Sequence, residues 1–221
     1  MIIDREILDI IWLTLRMTFF STTISAAIGI PAGLWLEREN FRGKKLIVTI
    51  NRTLMASPPV VVGLVVYLLF MRNGLFGGLN LLFTLEIMII AQILLISPII
   101  CGFVYTAATN RAERIRAFAT TMGANQRQTW KLLCKELSKD IYFSMIAGYG
   151  RAMSEVGAIM IVGGNIRHQT RTMTTAISLM RNRGEFEQAI ILGIILMVIV
   201  FLIQAVANLF RRKEQRQDEN Y

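Results

Sequence analysis

Arg116-Ala-Phe-Ala-Thr-Thr-Met-Gly-Ala-Asn125 lies within a polar, basic segment, Arg111 to Lys139, that separates two hydrophobic stretches each long enough to cross a bilayer. Asn and Gly are poor inside helices and good at their ends. The spacing therefore predicts one helix over Arg111 to Met122, a stop at Gly123 and a second helix over Asn125 to Leu137. Such an elbow projects out of a membrane. Ala117, Ala119, Gly123 and Ala124 are small enough to let another protein approach the backbone, while Phe118 and Trp130 are apolar anchors of the kind that dominate interfaces. The bland alternative is a basic loop lying against anionic lipid.

Outward from the elbow the chain is apolar. Hydrophobic residues make up 54% of its 221 positions, and the mean hydropathy is +0.50, more than an ordinary soluble domain carries. The net charge of +9 does not point to nucleic acid, because Lys and Arg gather in the breaks between apolar runs. A helix needs about 20 residues to cross about 30 Å of hydrocarbon. On that rule five spans are expected, over residues 14–36, 48–71, 86–109, 141–163 and 188–210. The expected fold is all-α and polytopic, with residues 1–13 as an extracytoplasmic N-terminal segment and 211–221 as a cytoplasmic charged tail. Met1 to Glu6 does not read as a cleavable signal, so the first span is expected to remain. Cys101 and Cys134 fall at different depths and are expected to stay unpaired, and no metal-ligand cluster surrounds His168.

Lys and Arg in the connections after spans one and three and in the tail number fifteen, against six on the other side. The positive-inside rule then places the N-terminus outside and the C-terminus in the cytoplasm. The connection from Gly163 to Glu187 runs against that bias with four Arg, and a short re-entrant or interfacial helix at Thr172 to Met180 is one way to accommodate it.

Several positions inside the spans carry chemistry. Pro58 and Pro59, after Ser57, remove backbone donors within span two and predict a kink or opening. Ser97 and Pro98 repeat the device in span three, so two broken helices facing one another are expected to form a translocation path and hinge. Arg151 and Glu155 are four residues apart and can pair across one turn of span four. They read either as gate residues whose partners switch or as a static pair fixing helix packing. Beyond them, Gly163, Gly164 and Asn165 precede Arg167, His168 and Arg171. Gly163, Gly164 and Asn165 are candidates for the path or gate, and Arg167, His168 and Arg171 beside them for an outer vestibule that receives an anion or an acidic partner, with Thr170 as a candidate cap for the next helix.

The order of these features resembles the permeases of ABC importers. The elbow is similar to their EAA loop. With its glycine at Gly123, the triplet falls on Ala117, Phe118 and Ala119, of which only the final alanine matches. Leu133 takes the later aliphatic position, while Lys135-Glu136 stands where Leu-Pro is usual. Gly29-Ile-Pro-Ala-Gly33 resembles the small-residue end of span one in these permeases. Ser57-Pro-Pro-Val-Val-Val-Gly63 and Gly150-Arg-Ala-Met-Ser-Glu-Val-Gly157, with Gly164-Asn-Ile166, are similar to stretches of the molybdate, tungstate and sulfate branch. Length and span number look most like the tungstate permease subunits.

The resemblance implies a type I ABC importer permease fold over residues 11–210 and an ATPase-coupling loop over 111–138. It further implies a homodimer embedded in lipid in a prokaryotic inner membrane, two cytoplasmic ABC ATPase subunits and an extracytoplasmic oxyanion-binding protein. The cargo it implies is tungstate, with molybdate next. The chain itself is expected to be non-catalytic and without a cofactor: G-x-x-x-x-G-K-[ST] and H-E-x-x-H are both missing from the sequence. A membrane scaffold or passive anion channel outside the ABC class, its basic loop binding lipid or a partner, is the competing reading.

Overall fold

Two long helices form the axis around which the rest is arranged. The computed structural model describes residues 5–218, with side chains over 6–207. The outermost residues of the expected N-terminal segment and charged tail therefore lie outside the described residues. Helix α1, Arg5–Arg38, and helix α4, Leu85–Thr121, hold 34 and 37 residues. At about 1.5 Å per residue each reaches roughly 50 Å, well beyond the hydrocarbon. Gly29 and Gly33 let them touch: a Cβ on Gly29 would stand 2.9 Å from the Ser97 carbonyl oxygen, and one on Gly33 would stand 2.7 Å from that of Cys101. One turn apart on one face, these glycines make a small-xxx-small contact.

Among the described residues the other α-helices are α2 (Lys44–Met55), α3 (Pro59–Phe70), α5 (Gln126–Glu136), α6 (Ser138–Met153), α7 (Gly157–Gly163), α8 (Met173–Asn182) and α9 (Phe186–Asp218). Three helices, α1, α4 and α9, are long and apolar enough to cross a membrane singly. The pairs α2/α3 and α6/α7 bring the number to five if each counts as one span, but they bend by 102° and 58°. Spans two and four are thus broken pairs rather than continuous rods. Helix α8 occupies the place where a short helix is expected, and it packs with α9 against Ile10 of α1 through Met173, Ala176 and Leu192.

Proline explains one break and fails to make another. Pro58 is extended, with φ −64° and ψ 125°, and Pro59 opens α3, the position where a missing N–H matters least. Pro98, expected to break span three, is instead buried within an unbroken α4. It removes a single ladder bond. Nearby polar groups brace the helix: Ser97 Oγ donates to the Ile93 carbonyl at 2.7 Å, and Asn51 Nδ2 donates to the Pro98 carbonyl at 3.1 Å. Packing against α1 and α2 keeps the helix continuous through Pro98.

The core has two main parts. One, around Ile96, Ile100, Val104, Leu133 and Leu137, ties α4 to the elbow and α6. The other, around Met17, Val66, Met88, Ala158 and Ile159, ties α1 and α4 to α3 and α7. Large apolar side chains also cover the outside, with Ile190, Met197 and Phe201 of α9 mostly exposed. In water such a surface would aggregate; in a bilayer it is the solvated face.

Candidate functional site

The elbow is assembled from local rules. Helix α4 runs unbroken past the end of its apolar stretch, so the first arm extends span three instead of forming a separate helix from Arg111. Gly123 then adopts φ +71°, a left-handed conformation that suits glycine. The Ala124 N–H reaches back to the Ala119 carbonyl at 2.9 Å, closing the helix end. Asn125 Oδ1 accepts the Gln128 N–H at 2.9 Å while Gln128 Oε1 accepts the Asn125 N–H at 2.8 Å, a reciprocal cap that starts α5.

The elbow presents fewer small residues than its sequence suggests. Ala117 and Gly123 are exposed and Ala124 is half-buried, but Ala119 is 1% exposed and serves internal packing. Trp130 is half-buried against the core cluster, with the Arg38 guanidinium 5.7 Å from its ring centroid, and acts as a strut between α5 and α1. The apolar tip consists of Phe118, 61% exposed, and Met122, 71% exposed. Met122 was not singled out from the sequence, although its i+4 spacing from Phe118 places it on the same face. The base is clamped by Arg116, whose guanidinium donates to both carboxylate oxygens of the nearly buried Glu37, with Nη1 2.9 Å from Oε1. Burial raises the pKa of the Cys134 thiol in this elbow, which keeps it protonated and inert.

The second assembly lies where the broken spans meet, and it joins spans two and four, not two and three. A Cβ on Gly157 would stand 2.8 Å from Val60 Cγ2, the residue after Pro59. Ser57 Oγ turns back to donate to the Leu54 carbonyl at 2.8 Å, satisfying an acceptor at the end of α2. Glu155, 3% exposed, organises the other break. Its Oε2 accepts from Arg151 Nη1 at 2.7 Å, its Oε1 accepts the Ala158 N–H at 3.1 Å, and its carbonyl accepts from Thr174 Oγ1 at 2.8 Å. These bonds tie α6, α7 and α8 together.

Gln92 completes that network. Wholly buried in α4, it accepts from Ser21 Oγ of α1 at 2.6 Å and donates to the Ala152 carbonyl at 3.0 Å, an acceptor near the end of α6. It was missed in the sequence because its partners lie 71 and 60 positions away. The available signal was a lone amide inside an uncharged apolar run.

The opposite end of the molecule departs from the vestibule expectation. Gly164 and Asn165 take φ +69° and +53° to reverse the chain after Gly163. Arg167 and Arg171 are not free cations: both pair with Glu6, Arg171 Nη1 lying 2.9 Å from Oε1. His168 Nδ1 is 3.3 Å from Asp9 Oδ2. The turn thus docks the start of α1. The hydrogen bond from Arg167, followed by the charges of Arg167, Arg171 and His168 and partly opposed by burial, holds the Glu6 carboxyl below its usual pKa. Thr170 braces the turn, accepting the Ile166 N–H at 2.9 Å and donating to the Gly163 carbonyl, while Thr172 caps α8 through Thr175.

Apolar helices with two broken spans and a basic elbow define a polytopic membrane transport subunit. Residues 29–216 match the model of the family described as binding-protein-dependent transport system inner membrane component, and the chain belongs to that family. It is 40% identical, over 92% of its length and 89% of the relative's, to the tungstate uptake system permease protein TupB of Peptoclostridium acidaminophilum. It is 32% identical, over 95% and 87%, to TupB of Campylobacter jejuni. To the sulfate transport system permease protein CysW of Escherichia coli K12 it is 25% identical, over 99% and 79%. The fold is shared with the crystal structure of an amino acid ABC transporter with histidines, at TM-score 0.68, 15% identity and coverage of 95% of this chain and 94% of the other.

Proposed function

We propose that this chain is the membrane subunit of an importer for a tetrahedral oxyanion, tungstate first and molybdate second. In this reading it works as a homodimer in the inner membrane, with its N-terminus outside and its C-terminus in the cytoplasm. An extracytoplasmic binding protein delivers the anion and two separate cytoplasmic ATPase subunits supply the energy. The chain needs no cofactor and performs no covalent step. The observation that carries this reading is near full-length similarity to two tungstate uptake permeases from different organisms.

The elbow is the ATPase contact in this proposal. Phe118 and Met122 present an apolar knob, Ala117, Gly123 and Ala124 allow close approach around it, and the Arg116 to Glu37 clamp makes the elbow move with α1 and α4. The junction of α3 and α7, with Ser57, Pro58 and Pro59 at one break and Arg151 and Glu155 at the other, is the moving wall of the path. Closure of the ATPase pair would shift the population from inward-facing to outward-facing bundles. The exposed apolar faces of α2 and α3, including Ile50, Leu54, Val61 and Val65, suit burial against a second copy.

The test is ATP hydrolysis by the chain co-reconstituted with its candidate ATPase and binding protein. Tungstate, molybdate and sulfate would be compared at matched low concentrations. Stimulation strongest with tungstate is expected. Stimulation strongest with another anion changes the cargo, and hydrolysis indifferent to every anion and to the binding protein removes the importer reading.

A further inference from the structure

The elbow has a second face that shares only Ala124 with the proposed ATPase contact. Positions 116 and 120 lie two residues out of phase with Phe118, and at about 100° per residue they fall on the opposite side of the α4 extension. On that side a cleft of about 630 Å³ opens between the end of α1, the end of α4 and α5. Arg38, Arg116, Arg127 and Lys131 line it, and none of its lining residues is Asp or Glu.

These four cations are not equally available. Arg116 is committed to Glu37, and Arg38 lies over Trp130 with its Nε 3.6 Å from Glu39. Arg127 and Lys131 are exposed and make no ion pair among the described residues. They stand four residues apart on α5, one turn from each other. The first turn of α5 holds no acidic residue, and Gln126 and Arg127 at its start are part of the cleft wall. A guanidinium and an ammonium free of ion pairs, in a cleft whose lining residues include no carboxylate, form an oxyanion-binding set.

We propose that this cleft binds a phosphoryl-type oxyanion at the elbow end of the molecule, held chiefly by Arg127 and Lys131. The cleft is roomier than a bare tetrahedral anion requires, and Trp130 and Leu133 give it an apolar wall. The same chemistry can therefore come from the headgroup of an anionic phospholipid or from free phosphate. A bound anion would bridge α1, α4 and α5, stiffening the elbow while leaving Phe118 and Met122 free. The site needs neither the transported cargo nor an ATPase, so it stands or falls separately from the importer reading.

The experiment uses the full-length chain in detergent and in nanodiscs. Retention of dioleoylphosphatidylglycerol against dioleoylphosphatidylcholine is read by native mass spectrometry, and inorganic phosphate binding by calorimetric titration. The wild type is compared with R127Q/K131Q and with R114Q, which removes an exposed charge of the elbow outside the cleft. Loss of two charge-assisted contacts should weaken binding by at least about tenfold in the double variant, with R114Q close to wild type. Selective phosphatidylglycerol retention identifies the lipid source and phosphate binding the free one; either supports the site. Binding of neither probe, or an equal loss in R114Q, overturns it. All three side chains are exposed, so unchanged helix content and melting temperature verify that the variants are folded.

Discussion

Gly63 of α3 lies directly against Ala158 of α7: a Cβ built on Gly63 would stand 2.6 Å from the Ala158 Cα. The obstructing atom is backbone, so no rotamer change relieves the clash. This contact joins the two broken spans and fixes how closely their short helices approach. Gly63→Ala is expected to push them apart at about 1–3 kcal/mol, the usual range for overpacking. Thermal unfolding of the purified protein measures the loss. An unchanged melting temperature would mean that the contact yields freely.

Glu155 should matter more to architecture than to passage of the anion. Glu155→Leu removes acceptors for Arg151 and for the Ala158 N–H and is expected to destabilise by about 1.5–3 kcal/mol. Glu155→Gln keeps one neutral acceptor and should lose less. Adding Arg151→Met to Glu155→Leu should recover part of the loss, because the cation is no longer left without its partner. Full stability of Glu155→Leu together with abolished uptake would make Glu155 a gate residue instead.

At Gly123 the constraint is conformational, not steric, since an added Cβ would meet nothing within 4 Å. With φ at +71°, Gly123→Val should cost about 1–2 kcal/mol or distort the elbow, while Gly123→Asn should be milder. The readout is anion-stimulated ATP hydrolysis in the reconstituted complex. Equal coupling in the two variants would refute a role for this turn geometry.

The contact between Glu6 and the turn at Arg167 and Arg171 carries a pH signature. Its carboxyl pKa is lowered in the folded state, so its stabilisation is fully present above the ordinary carboxylate pKa and is lost as the pH falls through the lowered value. Amide hydrogen exchange at residues 163–172, corrected for intrinsic pH dependence, should show protection that is steady near neutral pH and declines only in acid. Glu6→Gln should abolish that acid-dependent component. A decline that persists in the variant would assign the effect to another group.

Much of the molecule was legible along the chain because helix rules act over a few residues. The elbow follows from Gly123 and Asn125, and the bend in span two from Pro58 and Pro59. What escaped were contacts between residues far apart in sequence. Ala119 has the same side chain as Ala117, yet only one of them is exposed, which depends on how α4 is rotated against its neighbours. Arg167 and Arg171 read as open cations because Glu6, about 160 positions away, gives no local sign of meeting them. Pro98 carries the same local signal as Pro59 but leaves its helix intact, because α1 and α2 brace it from outside.

The amino-acid sequence alone determined the all-helical, membrane-embedded character, the likeness to importer permeases and the positions of the elbow and the break at Ser57-Pro-Pro59. Hydropathy, backbone donors and φ preferences are properties of the chain itself. The tertiary structure decided that spans two and four meet at Gly63 and Ala158. It also decided that Gln92 joins α1, α4 and α6, and that the elbow carries an apolar knob on one face and a basic cleft on the other. Each of these depends on distance and helix rotation between remote segments, which packing sets and local composition does not encode.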